Sequence, residues 1–176
     1  MAVKEILKLG NPQLLQKSVS VGQDELLYAV DVGVDLKDTM KNFQKEYGWG
    51  RAIAAPQIGV KKRILFWHLE EPQLFINPEI IDSSKGMIEI WDDCMSFPDL
   101  LVKVNRHKSC SLKFLNEKGE EKIFNLEGNE AELIQHELDH LDGILATMRA
   151  IDGSSFSLKS ESHFFEKADF SNTIQF

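Results

Sequence analysis

Cysteine is nearly absent: Cys94 and Cys110 are the only two, too few for a disulfide-stapled scaffold. Residues 1–10 contain no apolar core ending in a cleavage site, because Lys4, Glu5 and Lys8 are spread through them. The cytoplasm is therefore the expected location, where both thiols stay reduced and serve metal binding or packing. Long apolar runs are missing as well. Charges, Pro or Gly interrupt each one, so no membrane span is expected. No repeat, low-complexity tract or Pro-rich linker divides the 176 residues, and the whole of 1–176 is expected to form one domain. Positive charge is in deficit, with 20 basic against 28 acidic residues and a net charge of -8. Phosphate backbones repel such a chain, so direct nucleic-acid binding or an anionic membrane surface is not expected. Histidine is scarce too, at five residues, which gives weight to any clustering.

The composition is 43% hydrophobic and 27% charged, that of a soluble globular protein. Leu26, Leu27, Val30, Val34 and Phe43 recur at helical spacing and predict an amphipathic helix over 23–47, ended by Gly48 and Gly50. Short β-type runs follow at 64–69, 74–76, 88–90, 102–104 and 109–115. A hairpin turn is expected at 116–119, leading into a strand at 122–126. A second helix is predicted over 129–141, with Asn129 as N-cap, Glu130 and Glu132 in its first turn, and Gly143 as its stop. The tail beyond Gly153 shows no period. The fold class is thus α+β, with small antiparallel sheets packed around a helix that carries the chemistry.

That helix contains His136-Glu137-Leu138-Asp139-His140, an HExxH motif. Four residues make slightly more than one turn, so both imidazoles leave one face and can grip one ion. Glu137 is rotated about 100° from His136 and is better placed to act on a water than to join the ligands. Catalytic sites of this kind usually take three protein ligands. The residues alone leave Cys94, Glu161 and His163 as candidates for the third.

Three separated segments resemble the peptide deformylases. Gly50-Arg51-Ala52-Ile53-Ala54-Ala55-Pro56-Gln57 is similar to their Gly-x-Gly-x-Ala-Ala-x-Gln motif, and Asp92-Asp93-Cys94-Met95-Ser96 to their Glu-Gly-Cys-Leu-Ser. Gln135-His136-Glu137-Leu138-Asp139-His140-Leu141-Asp142-Gly143 matches the third motif, Gln-His-Glu-x-Asp-His-Leu-x-Gly, throughout. The resemblance implies a deformylase-like fold and removal of the N-formyl group from the first methionine of new polypeptides. Nascent chains at the ribosome would be the source of this N-formylated peptide substrate. It implies one divalent metal per chain, held by Cys94, His136 and His140, natively Fe2+, with Zn2+, Ni2+ or Co2+ able to substitute. Glu137 would carry the proton from attacking water to departing amine, and the Gln57 amide and the Met95 backbone N–H would hold the oxyanion. Asp139 and Gln135 would steady the ligands.

Against that pattern, Ala52 stands where the family has glycine, Asp92-Asp93 where it has Glu-Gly, and Arg51 and Glu132 at usually apolar positions. Asp92 is expected to pair with Arg106, and Asp93 to occupy a backbone position suited to glycine. Gly50, Arg51, Ala52, Asp92, Asp93, Glu132 and Leu133 are the expected substrate-binding set. Glu132 faces either solvent or the pocket. Unpaired charge in that set would weaken methionine binding, which keeps two alternatives open: a hydrolase of a different N-acyl group, and a weakly active or inactive metal-binding homologue.

Overall fold

The computed structural model describes residues 2–164. A 22-residue helix, α1 (Leu26–Tyr47), is preceded by a 3-10 turn at Gln23–Glu25, so the predicted helix appears with its first turn tightened. Eight strands follow: β1 (Ala52–Ala54), β2 (Ile64–His68), β3 (Pro72–Ser83), β4 (Met87–Asp93), β5 (Leu100–His107), β6 (Ser109–Leu115), β7 (Glu121–Glu127) and β8 (Phe156–Leu158). The second long helix, α2 (Gly128–Leu141), lies between β7 and β8 in the chain.

All pairings between these strands are antiparallel. One sheet runs β1-β2-β3-β6-β7 and the other β4-β5-β8. The five-stranded sheet is covered on both faces. Leu65, Trp67, Phe75, Leu112 and Phe114 pack with Leu133, Ile134 and Leu138 of α2. Ile53, Ile64, Phe66 and Ile76 pack with Leu36, Met40 and Phe43 of α1. This double burial is why 64–67 reads as an unbroken apolar run rather than an alternating one. The second sheet closes over Leu14, Cys94, Phe97 and Leu145. Every residue of α2 from Ala131 to Leu141 is buried. The helix is therefore central, and each polar side chain on it needs a partner.

Several elements depart from expectation. Strand β1 is too short to show a period in the sequence. Strand β3 runs through Pro78 because its register shifts between Ile76 and Glu79, at Asn77, whose φ is 51°. The Asn77 side chain accepts from Val21 N–H and donates to Val21 C=O, which holds the irregularity. Helix α2 begins one residue before Asn129, with Glu127 at the capping position and no side-chain cap. The predicted stop, Gly143, has φ of +73°, and a Cβ there would lie 2.7 Å from the Leu15 carbonyl oxygen, so only glycine fits. Part of the tail is ordered: β8 pairs with β5, and a 3-10 segment follows at Lys159–Phe164. Residues 165–176 lie outside the described part.

Candidate metal and hydrolytic site

The two HExxH imidazoles meet as helical spacing requires, with His136 Nε2 and His140 Nε2 3.1 Å apart. The turn after β4 brings Cys94 Sγ to 3.2 Å from His140 Nε2. One donor atom from each of Cys94, His136 and His140 lies within 4.8 Å of the others, and all three residues are buried. Converging sulfur and nitrogen donors of this kind suit a soft or borderline divalent ion. The other two candidates for third ligand, Glu161 and His163, sit exposed in the 3-10 segment and are not part of the cluster.

Around the cluster, charge is arranged by contact. Asp92 Oδ1 lies 2.9 Å from His136 Nδ1, and Asp92 Oδ2 accepts from Arg106 at 2.8 Å. Burial opposes the Asp92 charge, but His136 and Arg106 outweigh it and hold the carboxylate below its usual range. Burial likewise opposes charge on His136, and Asp92 reverses this, raising it well above 6.5. His140 has no such carboxylate. Burial and its neighbour His136 push it well below 6.5. Asp92 therefore contacts a ligand-forming ring directly, whereas Asp139 is linked to it through Arg106 and Gln135 bonds to the backbone of β5. Asp139 accepts from Arg106 and Arg149. Gln135 accepts from His107 N–H and donates to His107 C=O, fastening α2 to β5. The Arg106 bridge between Asp92 and Asp139 was half legible, since only its Asp92 arm follows from motif comparison.

Glu137 is 3% exposed with one carboxylate oxygen lacking any hydrogen-bond partner, and it borders the cavity at the cluster. Burial pushes its pKa up to about 7, with the positive neighbours His136 and Arg51 only partly offsetting this. A carboxylate poised near neutrality can both take and return a proton. Gln57 is 1% exposed and fixed at both ends. Its Oε1 accepts from Ala54 N–H at 2.8 Å, which turns Nε2 toward Ser96 Oγ at 3.3 Å and Cys94 Sγ at 3.6 Å. Ser96 also donates its backbone N–H to Sγ at 3.4 Å. This donor was carried in the sequence motif without a role. Met95 follows Cys94 directly, its carbonyl accepting from Lys8 Nζ at 3.0 Å.

A cavity of about 730 Å³ opens beside the cluster. Gly50, Arg51, Ala52, Asp92, Asp93 and Leu133 all line it, but Glu132 does not. Glu132 is 2% exposed and accepts from Arg51 Nη2 at 2.7 Å. Burial raises its carboxyl to about 7 despite Arg51. Glu132 thus faces neither solvent nor the pocket but the back of Arg51. Asp93 also has a partner, since Lys159 Nζ donates to it at 2.7 Å. It sits in the extended β4 ladder, so a left-handed backbone at this position is ruled out. Ala52 is likewise extended, paired with Trp67. The expected unpaired charges are consequently paired, and the penalty they would impose on an apolar side chain falls away. A second consequence is measurable. Glu132→Ile alone strands Arg51 and should cost about 2–3 kcal/mol, below the roughly 3–5 of a fully buried pair because Arg51 still reaches water. Arg51→Leu/Glu132→Ile together should recover most of that in urea unfolding.

Gly50 shows why the first motif starts as it does. Its φ is +131°, and a Cβ would stand 2.7 Å from the Met95 methyl. The Met95 side chain of the second motif thereby packs directly against the Gly50 backbone of the first, and both residues line the cavity.

A family model described as polypeptide deformylase matches residues 3–155. The chain belongs to the polypeptide deformylase family. Peptide deformylase 1 of Prochlorococcus marinus (strain MIT 9313) is 40% identical over 175 residues, covering 92% of this chain and 88% of that protein. The peptide deformylase of Natranaerobius thermophilus is 37% identical over 153 residues, covering 85% and 94%. Among solved structures, the Thermotoga maritima peptide deformylase superposes with a TM-score of 0.79 at 29% identity, covering 86% of this chain and all of that one. A class I type b enzyme from Acinetobacter baumannii, solved bound to Met-Ala-Ser, gives 0.78 at 28% identity, covering 84% and 98%. As a member of this family the chain is a metal-dependent hydrolase that removes the N-formyl group from newly made polypeptides.

Proposed function

We propose that Cys94, His136 and His140 hold one Fe2+ ion and that deformylation takes place in the adjoining cavity, with Glu137 moving the proton. The observation that carries this reading is the convergence of Sγ and two imidazole nitrogens beside a buried carboxylate with a free oxygen. A divalent ion bound there supplies Lewis-acid polarisation of the formyl oxygen and acidifies an attacking water. Glu137 accepts the proton of that water and returns it to the departing amine, so formate and a free amino terminus leave. Gln57, its oxygen occupied by Ala54, directs an N–H toward the place where negative charge develops, and the Met95 backbone N–H is the second donor. Gln57→Ala should lower kcat by roughly 10²–10³-fold, the usual cost of an oxyanion donor, with metal content unchanged by elemental analysis.

Strand β1 is the edge strand of its sheet, and Arg51 and Ala52 border the cavity beside it. The peptide lies along this edge as an added strand, held by main-chain hydrogen bonds. The methionine side chain enters beside Leu133 and the stem of Arg51, whose charge is turned back toward Glu132. The solved relative bound to Met-Ala-Ser supports a product peptide of this kind. Nascent chains emerging from ribosomes in the cytoplasm are the proposed source of substrate. No helix among the described residues is long and apolar enough to cross a membrane. Formate release from formyl-Met-Ala-Ser, using anaerobically prepared Fe2+ protein beside Zn2+-loaded protein, tests the reading. Turnover that is faster with Fe2+ supports it, and no formate from either form sinks it.

A further inference from the structure

The family match ends at residue 155, yet the chain continues in order. Phe156, Ser157 and Leu158 pair with Val102, Leu101 and Leu100 of β5, and Lys159 N–H donates to Asp99 C=O at 2.9 Å. This strand delivers Lys159 to the rim of the cavity. Its Nζ lies 2.7 Å from Asp93 Oδ2 and 3.3 Å from the centroid of the Trp49 ring. Trp49 is held on another side by the edge-on ring of Phe43, with centroids 4.9 Å apart. Both Trp49 and Asp93 line the cavity. One precedes Gly50, the start of the substrate edge, and the other precedes Cys94. The Lys159 side chain is only 20% exposed and that of Asp93 17%, so the cation meets ring and carboxylate largely out of water, where both attractions are strengthened. Where the deformylase motif has glycine, this chain has the carboxylate that Lys159 needs.

We infer that Lys159 is a positioning residue for the peptide cleft. It ties the Trp49–Gly50 segment to the end of β4, so that the two walls contacting substrate keep a fixed separation. The inference rests on the cavity being the substrate cleft. Asp93 and Lys159 form a matched pair, with the cationic half carried immediately after β8.

The test is steady-state kinetics on formyl-Met-Ala-Ser with the metal-loaded full chain, beside tryptophan fluorescence and product-peptide binding by calorimetry on the same proteins. Lys159→Met should raise KM about five- to twentyfold, the loss of a partly desolvated cation–π contact and its ion pair, while kcat stays within about twofold. It should also weaken Met-Ala-Ser binding and alter the tryptophan emission, to which Trp49, Trp67 and Trp91 contribute, with the change abolished in a Trp49→Phe background. Lys159→Arg, which keeps both contacts, should stay close to the unmodified protein in all three. An unchanged KM and emission in Lys159→Met overturns the inference, as does a fall in kcat matched by a lowered melting temperature, which marks a merely structural role. Should Lys159→Met fail to fold, a KM for Asp93→Gly equal to that of the unmodified protein overturns it instead. Absence of turnover in the unmodified protein is a different failure, that of the proposed active site, and the calorimetric arm still reads the cleft.

Discussion

Glu137→Gln should bind metal as fully as the unmodified protein and lose on the order of 10²-fold or more in kcat. The two halves of this result have separate causes. The metal cluster draws one donor each from Cys94, His136 and His140, and Glu137 is not among them, so removing its charge leaves the donor set intact. Glutamine fills the same space, which avoids a cavity in the fully buried helix around it. What it cannot do is accept a proton. The unpartnered oxygen of Glu137, a residue that borders the cavity, is free to do so. Elemental analysis and formate release on one preparation check both halves. A metal-loaded Glu137→Gln protein with unchanged rate would assign the proton to another group.

Cys94→Ala should lose most of its metal and with it essentially all turnover, and His136→Ala should do the same. Two imidazoles alone make a weak site, because a catalytic ion of this class takes three protein ligands. For Cys94 the loss is compounded. Its sulfur accepts from Ser96 N–H and from Gln57 Nε2, so removing it also frees the Gln57 amide. His136→Ala leaves Asp92 facing Arg106 alone, and Asp92→Asn is the milder probe of the same contact. It should weaken metal retention roughly 10- to 100-fold, as loss of a group orienting a ligand does. Dialysis against a chelator, followed by elemental analysis, ranks the three variants. Full occupancy in Cys94→Ala would return attention to the other candidates.

The site was legible because its chemistry sits in local strings. HExxH announces two ligands and a base through the helical period alone. The Cys94 and Gln57 strings became informative only through resemblance, since a buried cysteine or glutamine has no periodic signature. The surroundings were not legible, and α2 shows why. Glu130 and Glu132 read alike as first-turn helix charges, and the sequence leaves Glu132 open between solvent, the ordinary outcome at an N-terminus, and the pocket. The two sheets close around the helix, and Glu132 is buried where Arg51, 81 positions away, meets its charge. Asp93 is a parallel case: its partner lies 66 residues downstream, in a tail whose short strand has no period to detect. Pairings at such separations are decided by topology. Charge counted along the chain therefore suggested a pocket spoiled by unpaired groups, and the folded chain pairs them. The fold class followed from the mixture of helical and β-type runs, whereas the sheet order rests on long-range pairing and the passage of β3 through Pro78 on the Asn77 bend, neither of which was visible.

X-ray absorption at the metal edge, on anaerobically prepared Fe2+ protein, reads the atoms bound to the ion itself. One sulfur and two nitrogen neighbours from the protein are expected, those of Cys94, His136 and His140. A coordination sphere of nitrogen and oxygen alone in the unmodified protein would contradict this assignment.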